Sequence, residues 1–260
     1  MKRVQKTLFF LVCLATVFLA IVLDRPVYAE PKSGSEYVKP ETRIMQDDDF
    51  ENPGLITVDV GKELFNKKLA MGKACADCHG AEGEKLNMQR LATYPVYKNR
   101  TKEIITLQRR INDCRSNFSD DDLETDHPEL LALETFVRNR AKGEAVNVKT
   151  DGAGAELLKK GEKLFTTRYG LIDMSCQHCH EFYPGQMIRG QKISQGQANG
   201  FPAYRLATGE IANVHMRIQQ CMDLLRADPF ETDSEEIKLL GLYMMSRSNG
   251  LPIETPAVRY

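Results

Sequence analysis

The sequence predicts a mainly α protein in which two copies of one small helical domain follow each other, and three observations carry that prediction. A pentapeptide of the form Cys-x-x-Cys-His occurs twice, as Cys75-Ala76-Asp77-Cys78-His79 and as Cys176-Gln177-His178-Cys179-His180. The segments around the two pentapeptides repeat in the same order. Apolar residues in both copies recur at helical spacing.

The pentapeptide is the attachment signature of c-type haem. Its two thiols add across the haem vinyl groups, and the adjacent His supplies an axial nitrogen to the iron. Two residues between the thiols let one short turn span the porphyrin edge and bring the next side chain over the metal. Cys75, Cys78, Cys176 and Cys179 are therefore expected to hold two covalent haem c groups, with His79 and His180 as iron ligands. A single zinc ion bound by four thiolates would place the pairs closer together and would need no His after each. A thioredoxin-like dithiol expects a βαβ context that neither motif has.

The repeat extends well beyond the pentapeptides. Gly61-Lys62-Glu63-Leu64-Phe65 returns as Gly161-Glu162-Lys163-Leu164-Phe165. Downstream the offset is a constant 107: Tyr94-Pro95-Val96-Tyr97 returns as Phe201-Pro202-Ala203-Tyr204, Arg110–Cys114 as Arg217–Cys221, and Glu129–Gly143 as Glu236–Gly250. Duplication of one domain is the economical reading.

In chain order, Met1-Lys2-Arg3 and Lys6 precede an apolar stretch from Leu8 to Leu23, and Val27-Tyr28-Ala29 offers small residues for a peptidase. Residues 1–29 read as a secretory signal peptide cleaved after Ala29; a permanent anchor is the competing reading, for which the run is slightly short. Cleavage removes four basic residues and one acidic residue, taking the net charge from −1 to −4. That balance does not suit nucleic-acid binding. No second long apolar run exists, so no membrane span is expected after cleavage, and haem attachment to an exported chain implies a periplasm. Residues 30–55, with Pro31, Pro40, Pro53 and Asp47-Asp48-Asp49, read as an irregular N-terminal arm. The first domain is expected over 56–143, a Gly-broken linker over 144–156 and the second domain over 157–260.

Within each domain, Val60, Leu64 and Phe65 define one helix face before the first motif, and Leu157, Leu158, Leu164 and Phe165 define its partner. A middle helix carries Ile104, Leu107, Ile111 and Cys114 on one face, matched by Val214, Ile218, Cys221 and Leu225. A terminal helix buries Leu130, Leu133 and Phe136, matched by Ile237, Leu240 and Tyr243, with capping boxes at Asp126/Glu129 and Asp233/Glu236. A haem-bearing turn between an N-terminal and a C-terminal helix resembles the class I cytochrome c domain.

The second axial ligand is the informative question. Electron carriers of this kind use a downstream Met, but Met88, Met187, Met216 and Met222 occupy no matching positions in the two copies. Cys114 and Cys221 do match. Buried structural thiols, or a Cys114–Cys221 disulfide, are the bland readings. Two cysteines at equivalent depth in two haem domains would each face their own haem, so both are assigned as axial thiolates: His79/Cys114 on the first iron and His180/Cys221 on the second. Arg110 and Arg217 lie four residues before them, on the same helix face. A guanidinium there favours the thiolate and can hold an anion; a solvated Arg or a propionate partner is the plainer alternative. His127, His178 and His215 have no equivalents in the other copy and are not assigned as ligands.

Two haem motifs, matched Arg-x-x-x-Cys segments and an export signal together resemble the SoxA family of sulfur-oxidation cytochromes, the dihaem subunits of SoxAX complexes. The resemblance covers nearly the whole mature chain, including Glu51-Asn52-Pro53-Gly54 and Arg217-Ile218-Gln219-Gln220-Cys221. It implies an L-cysteine S-thiosulfotransferase that pairs with the monohaem cytochrome SoxX. It implies that thiosulfate is coupled oxidatively to a cysteine of the SoxYZ carrier as a cysteine S-thiosulfonate, with two electrons passing through haem to an acceptor cytochrome c. It places the catalytic haem in the second domain, with Cys221 as the distal ligand carried as a persulfide and Arg217 positioning thiosulfate. The rival reading is a dihaem electron-transfer cytochrome with no substrate of its own; a thiol-ligated redox sensor is a third, without an attached signalling domain. A thiolate lowers a haem potential, which gives a plain carrier no evident advantage.

Overall fold

The computed structural model describes residues 30–119 and 122–260, so the expected signal peptide over 1–29 lies outside the described residues. Residues 31–260 form one compact unit. After a 3-10 turn at Gly34–Tyr37, α1 (Pro40–Asp47) and α2 (Gly54–Asn66) lead to the short α3 (Ala76–His79) of the first pentapeptide. There follow α4 (Met88–Leu91), the hairpin β1 (Val96–Lys98) and β2 (Glu103–Ile105), α5 (Leu107–Arg115) and α6 (Pro128–Asn139). The second copy begins with α7 (Ala153–Thr166) and a π-helical turn at His178–Phe182. It continues with β3 (Met187–Ile188), β4 (Gln191–Lys192), β5 (Ala203–Arg205), β6 (Glu210–Ala212), α8 (Val214–Leu224), α9 (Glu235–Ser246) and the terminal β7 (Ala257–Arg259).

The duplication is legible in the packing. Helix α2 lies on α6, and α7 lies on α9. Each crossing is closest at a glycine: a Cβ on Gly61 would sit 2.1 Å from the Ala132 carbonyl oxygen, and one on Gly161 would sit 2.5 Å from the Leu239 oxygen. One helical turn further on, Phe65 meets Phe136 with ring centroids 5.1 Å apart, and Phe165 meets Tyr243 at 5.3 Å. The middle helices begin alike: the Thr106 hydroxyl accepts from Arg109 N, and the Asn213 amide oxygen accepts from Met216 N. These caps satisfy donors that a helix start leaves unpaired.

The hairpins repeat too, Val96 pairing with Ile105 and Ala203 with Ala212. The second hairpin has a third strand, β7, parallel to β5 with Arg205 opposite Arg259. The N-terminal segment holds that strand in place. The Gln46 side-chain oxygen accepts from Val258 N, and the Asn52 amide donates to the carbonyls of Gln46 and Pro256 while accepting from Gly54 N. Residues 30–55, expected as an irregular arm, thus contain a 3-10 turn and a two-turn helix, because their polar groups are satisfied by the far end of the chain.

Several local expectations shift. Ile104 lies on β2 and pairs with Tyr97 rather than joining the middle helix. Val60 is exposed, while Val58 and Leu64 pack against the core. The caps of the terminal helices fall one residue later than expected: His127 Nδ1 accepts from Glu129 N, and the Ser234 hydroxyl accepts from Ile237 N. Asp233 is drawn away by a hydrogen bond from the Thr125 hydroxyl. The inward residues Leu130, Leu133, Phe136, Ile237 and Leu240 are all buried. Leu133 and Phe136 share one core with Leu242, Met245 and Ile253 of the second copy. Val146 and Val148 of the expected linker are also buried there, and Val146 exchanges main-chain hydrogen bonds with Leu251 and Gly250.

Candidate active site

Each pentapeptide borders its own cavity. The first, of about 410 Å³, is lined by Cys75, Cys78, His79, Cys114, Arg110 and Arg115 among others. The second, of about 580 Å³, is lined by Cys176, Cys179, His180, Cys221 and Arg217. Both volumes fall in the range of about 300–1,000 Å³ typical of cofactor sites. All six described cysteines are free, so no Cys114–Cys221 disulfide joins the copies. His127, His178 and His215 line neither cavity. No methionine lines the first cavity; Met187, Met222 and Met244 line the second beside Cys221.

The local sequence explains how each imidazole is presented. Phe65 packs 6.2 Å from the His79 ring and Phe165 packs 6.3 Å from the His180 ring, so each N-terminal helix backs its histidine. His180 Nδ1 lies 2.8 Å from the Ser194 carbonyl oxygen. A carbonyl accepts, so this nitrogen carries the proton, and Nε2 is left with its lone pair for a metal, the arrangement that orients metal-binding histidines. Gly196, at φ +78, lies under the same ring; a Cβ there would come within 3.0 Å of His180 Cγ. Two thiols, an imidazole with a free nitrogen and a largely apolar cavity fit haem c. Cys176 and Cys179 would hold its edge and His180 its iron, with Cys75, Cys78 and His79 the corresponding set in the first copy.

The electrostatics differ between the thiols. Burial pushes Cys176 up to about 12, with nearby Cys221 adding to the rise. Burial and Cys221 also raise Cys179, and burial raises Cys75 against the pull of Arg115. Cys221 moves the other way. Burial raises it, but the Arg217 charge, with contributions from the neighbouring His180 ring and the Arg205 charge, brings it down to about 7. It is the thiol best placed to exist as thiolate.

The sequence missed three contributors to the second cavity. Arg205 on β5, Arg259 on β7 and the segment from Gly34 to Thr42 all line it. No motif marks them, because they reach the cavity only through the third strand and the docked N-terminal segment. The matched offset did offer one signal, since Arg205 aligns with Lys98. Arg247 also lies near, its guanidinium 4.9 Å from the centre of the Phe165 ring and paired with Glu181.

Comparison with known proteins agrees with this architecture. The family described as SoxA/TsdA, cytochrome c domain, matches residues 60–146 and 160–253. The chain is 37% identical over 234 residues to the L-cysteine S-thiosulfotransferase subunit SoxA of Rhodovulum sulfidophilum, covering 89% of this chain and 81% of that protein. It is 35% identical to the corresponding subunit of Paracoccus pantotrophus, covering 88% of this chain and 79% of that protein. Among solved structures, the crystal structure of SoxXA from P. pantotrophus superposes with a TM-score of 0.81 at 32% identity, covering 88% of this chain and 87% of that one.

Proposed function

The chain belongs to the SoxA/TsdA cytochrome c family, and from that premise we propose that it is the SoxA-type subunit of an L-cysteine S-thiosulfotransferase acting in thiosulfate oxidation. Its relatives carry that activity in their names, and the solved relative is a complex with SoxX. In this reading the chain pairs with a SoxX-type monohaem cytochrome, carries two haem c groups and works in the periplasm. Among the described residues no helix is long and apolar enough to cross a membrane.

The reaction joins thiosulfate to the carrier cysteine of a SoxYZ-type protein. The carrier S–H bond breaks, a sulfur–sulfur bond forms, and the cysteine S-thiosulfonate, one proton and two electrons result. A haem held there would accept electrons one at a time, for passage to an acceptor cytochrome c. The chain's own residues bind and orient. Cys221, as thiolate or persulfide, is the reactive sulfur, and together with His180 it would ligate the iron of a haem held by Cys176 and Cys179. Arg217 holds the anion by charge and by its planar fork of donors. Cys114 and His79 would ligate the iron of a haem held by Cys75 and Cys78 in the first cavity.

The observation that carries this reading is the meeting of Cys221, Arg217 and His180 around one cavity bordered by an attachment motif. The test is thiosulfate-dependent reduction of an acceptor cytochrome, with carrier present and at equal haem content. Cys221→Ala keeps both haems, since attachment uses other cysteines, and loses coupling. Cys114→Ala changes the spectrum of the first haem and keeps substantial turnover. A dead Cys114→Ala beside a normal Cys221→Ala would move the active site to the first copy. Normal turnover in both would leave the electron-carrier reading.

A further inference from the structure

One residue outside the second cavity holds His180 from two sides. Arg247 follows the last turn of α9 and lines neither cavity. One of its terminal nitrogens donates to the carboxylate of Glu181, the residue after His180. The other donates to the Gln195 carbonyl oxygen at 3.1 Å. Gln195 follows Ser194, whose carbonyl oxygen lies 2.8 Å from His180 Nδ1 and accepts its proton. The guanidinium also covers the Phe165 ring at 4.9 Å, and Phe165 packs against the His180 ring. The second Glu181 oxygen takes a hydrogen bond from Gln177 Nε2 at 2.7 Å, inside the attachment motif itself. A single planar fork thus ties the chain that carries the imidazole to the chain that accepts its hydrogen bond.

The first copy has the arginine without its partner. Arg140 stands at the position equivalent to Arg247, but Gly80 follows His79 where Glu181 follows His180. The brace is therefore a property of the second site alone. The Arg247 and Glu181 side chains are 17% and 21% exposed, so solvent screens this pair less than it screens a surface pair. A hydrogen bond from Nδ1–H to a firmly placed carbonyl makes Nε2 a more basic ligand. A more basic axial ligand favours ferric over ferrous iron, and second-shell hydrogen bonding is one of the levers by which a protein sets a haem potential.

We propose that Arg247 is a positioning residue for the second haem site. Through Glu181 and the Gln195 carbonyl it fixes the Ser194 oxygen against His180 Nδ1–H, which keeps the imidazole a strong donor and holds the potential of the second haem down. This rests on the haem part of the reading above and is indifferent to the substrate. It also separates the two sites, which share their attachment motif and their matched cysteine but not this ion pair.

The experiment uses the haem-loaded complex with its cytochrome partner, without thiosulfate or carrier. It reads the reduction potential of the second haem, in a Cys114→Ala background that sets the first haem's spectrum apart, and amide hydrogen exchange in residues 194–197. Arg247→Lys keeps the charge and an apolar stem over Phe165, but a single ammonium cannot reproduce the planar fork that spans Glu181 and Gln195. It is expected to shift the second potential upward and to speed exchange in 194–197, with the first potential unmoved. The double variant Glu181→Gln, Arg247→Gln removes both charges, leaves the net charge as it was, and should shift the potential in the same direction. A wild-type potential in both variants, or equal shifts at both haems, would overturn the proposal. So would faster exchange with no shift in potential, the result expected of a merely structural anchor. No substrate is present, so failure of the thiosulfate reading leaves the brace standing, an unmoved potential sinks the brace alone, and a chain without haem on Cys176 and Cys179 sinks both.

Discussion

Replacing Gly61 by Ala tests the packing that the duplication repeats. In isolation Ala is the better helix residue by about 1 kcal/mol, so a free α2 would gain. In the folded chain the new methyl would lie 2.1 Å from the Ala132 oxygen and 2.7 Å from Phe136 Cβ. The first contact is with main chain, so no rotamer relieves it, and α2 must retreat from α6 by roughly 1 Å. A gap of about 0.5–1 Å forfeits a quarter to a half of each dispersion contact across a seam, and overpacked cores typically lose ~1–3 kcal/mol. The expected net cost is ~2 kcal/mol after the propensity gain. Gly161→Ala meets the equivalent carbonyl at 2.5 Å and should cost less. Gly154, half-buried near the start of α7, has its nearest neighbour, the Lys149 carbonyl oxygen, at 3.3 Å, and Gly154→Ala should cost less than either. Denaturant unfolding of the haem-loaded protein, followed by circular dichroism and by haem absorbance, gives the order directly. If Gly61→Ala is as stable as Gly154→Ala, the close crossing does not exist and the equivalence of the two helix pairs is mistaken.

Two further outcomes follow from buried polar groups. His215 is buried, and burial holds its pKa down at about 4 against a pull upward from Asp233 and a push downward from Lys238. The unfolded chain binds a proton at this residue below about pH 6.5 while the folded chain stays neutral until about pH 4. Its contribution therefore falls as pH drops through that window, by up to about 3 kcal/mol. His215→Gln, which installs the residue found at the equivalent Gln108, should flatten the slope of stability against pH between 4 and 6.5; an unaltered slope would mean that His215 is not kept neutral by burial. Asn52→Ala removes two hydrogen bonds donated to main-chain carbonyls and one accepted from Gly54. It should cost ~2 kcal/mol and raise hydrogen exchange in residues 40–47 and 257–259 together, whereas faster exchange in only one of them would separate the N-terminal segment from β7.

The asymmetry between the copies bears on what gene duplication left behind. Gly61 and Gly161, Phe65 and Phe165, Thr106 and Asn213 keep the same structural jobs. What distinguishes the second cavity lies outside the repeat: the segment before α2 and the strand after α9 meet over β5 and wall one side. A cavity walled in this way excludes water from one side of Cys221, which strengthens any charge placed beside it.

By itself the sequence determined what local chemistry dictates. Cys-x-x-Cys-His needs only adjacent residues, so both pentapeptides were readable as candidate attachment motifs, as were the repeat, the mainly helical class and the matched positions of Cys114 and Cys221. The terminal helices were readable as well, but their caps were not. Asp126 and Asp233 are good caps in isolation; His127 and Ser234 take the role because tertiary contacts, such as Thr125 with Asp233, compete for the same side chains. Only the tertiary structure decided the order of residues 34–47, whose partners Glu254, Val258 and Arg259 stand at the other end of the chain. It also decided that Arg205 is buried and lines the second cavity while its repeat partner Lys98 faces solvent. Neither position differs in local pattern. What differs is whether a third strand arrives to cover it, and that depends on long-range hydrogen bonds that no window of sequence contains.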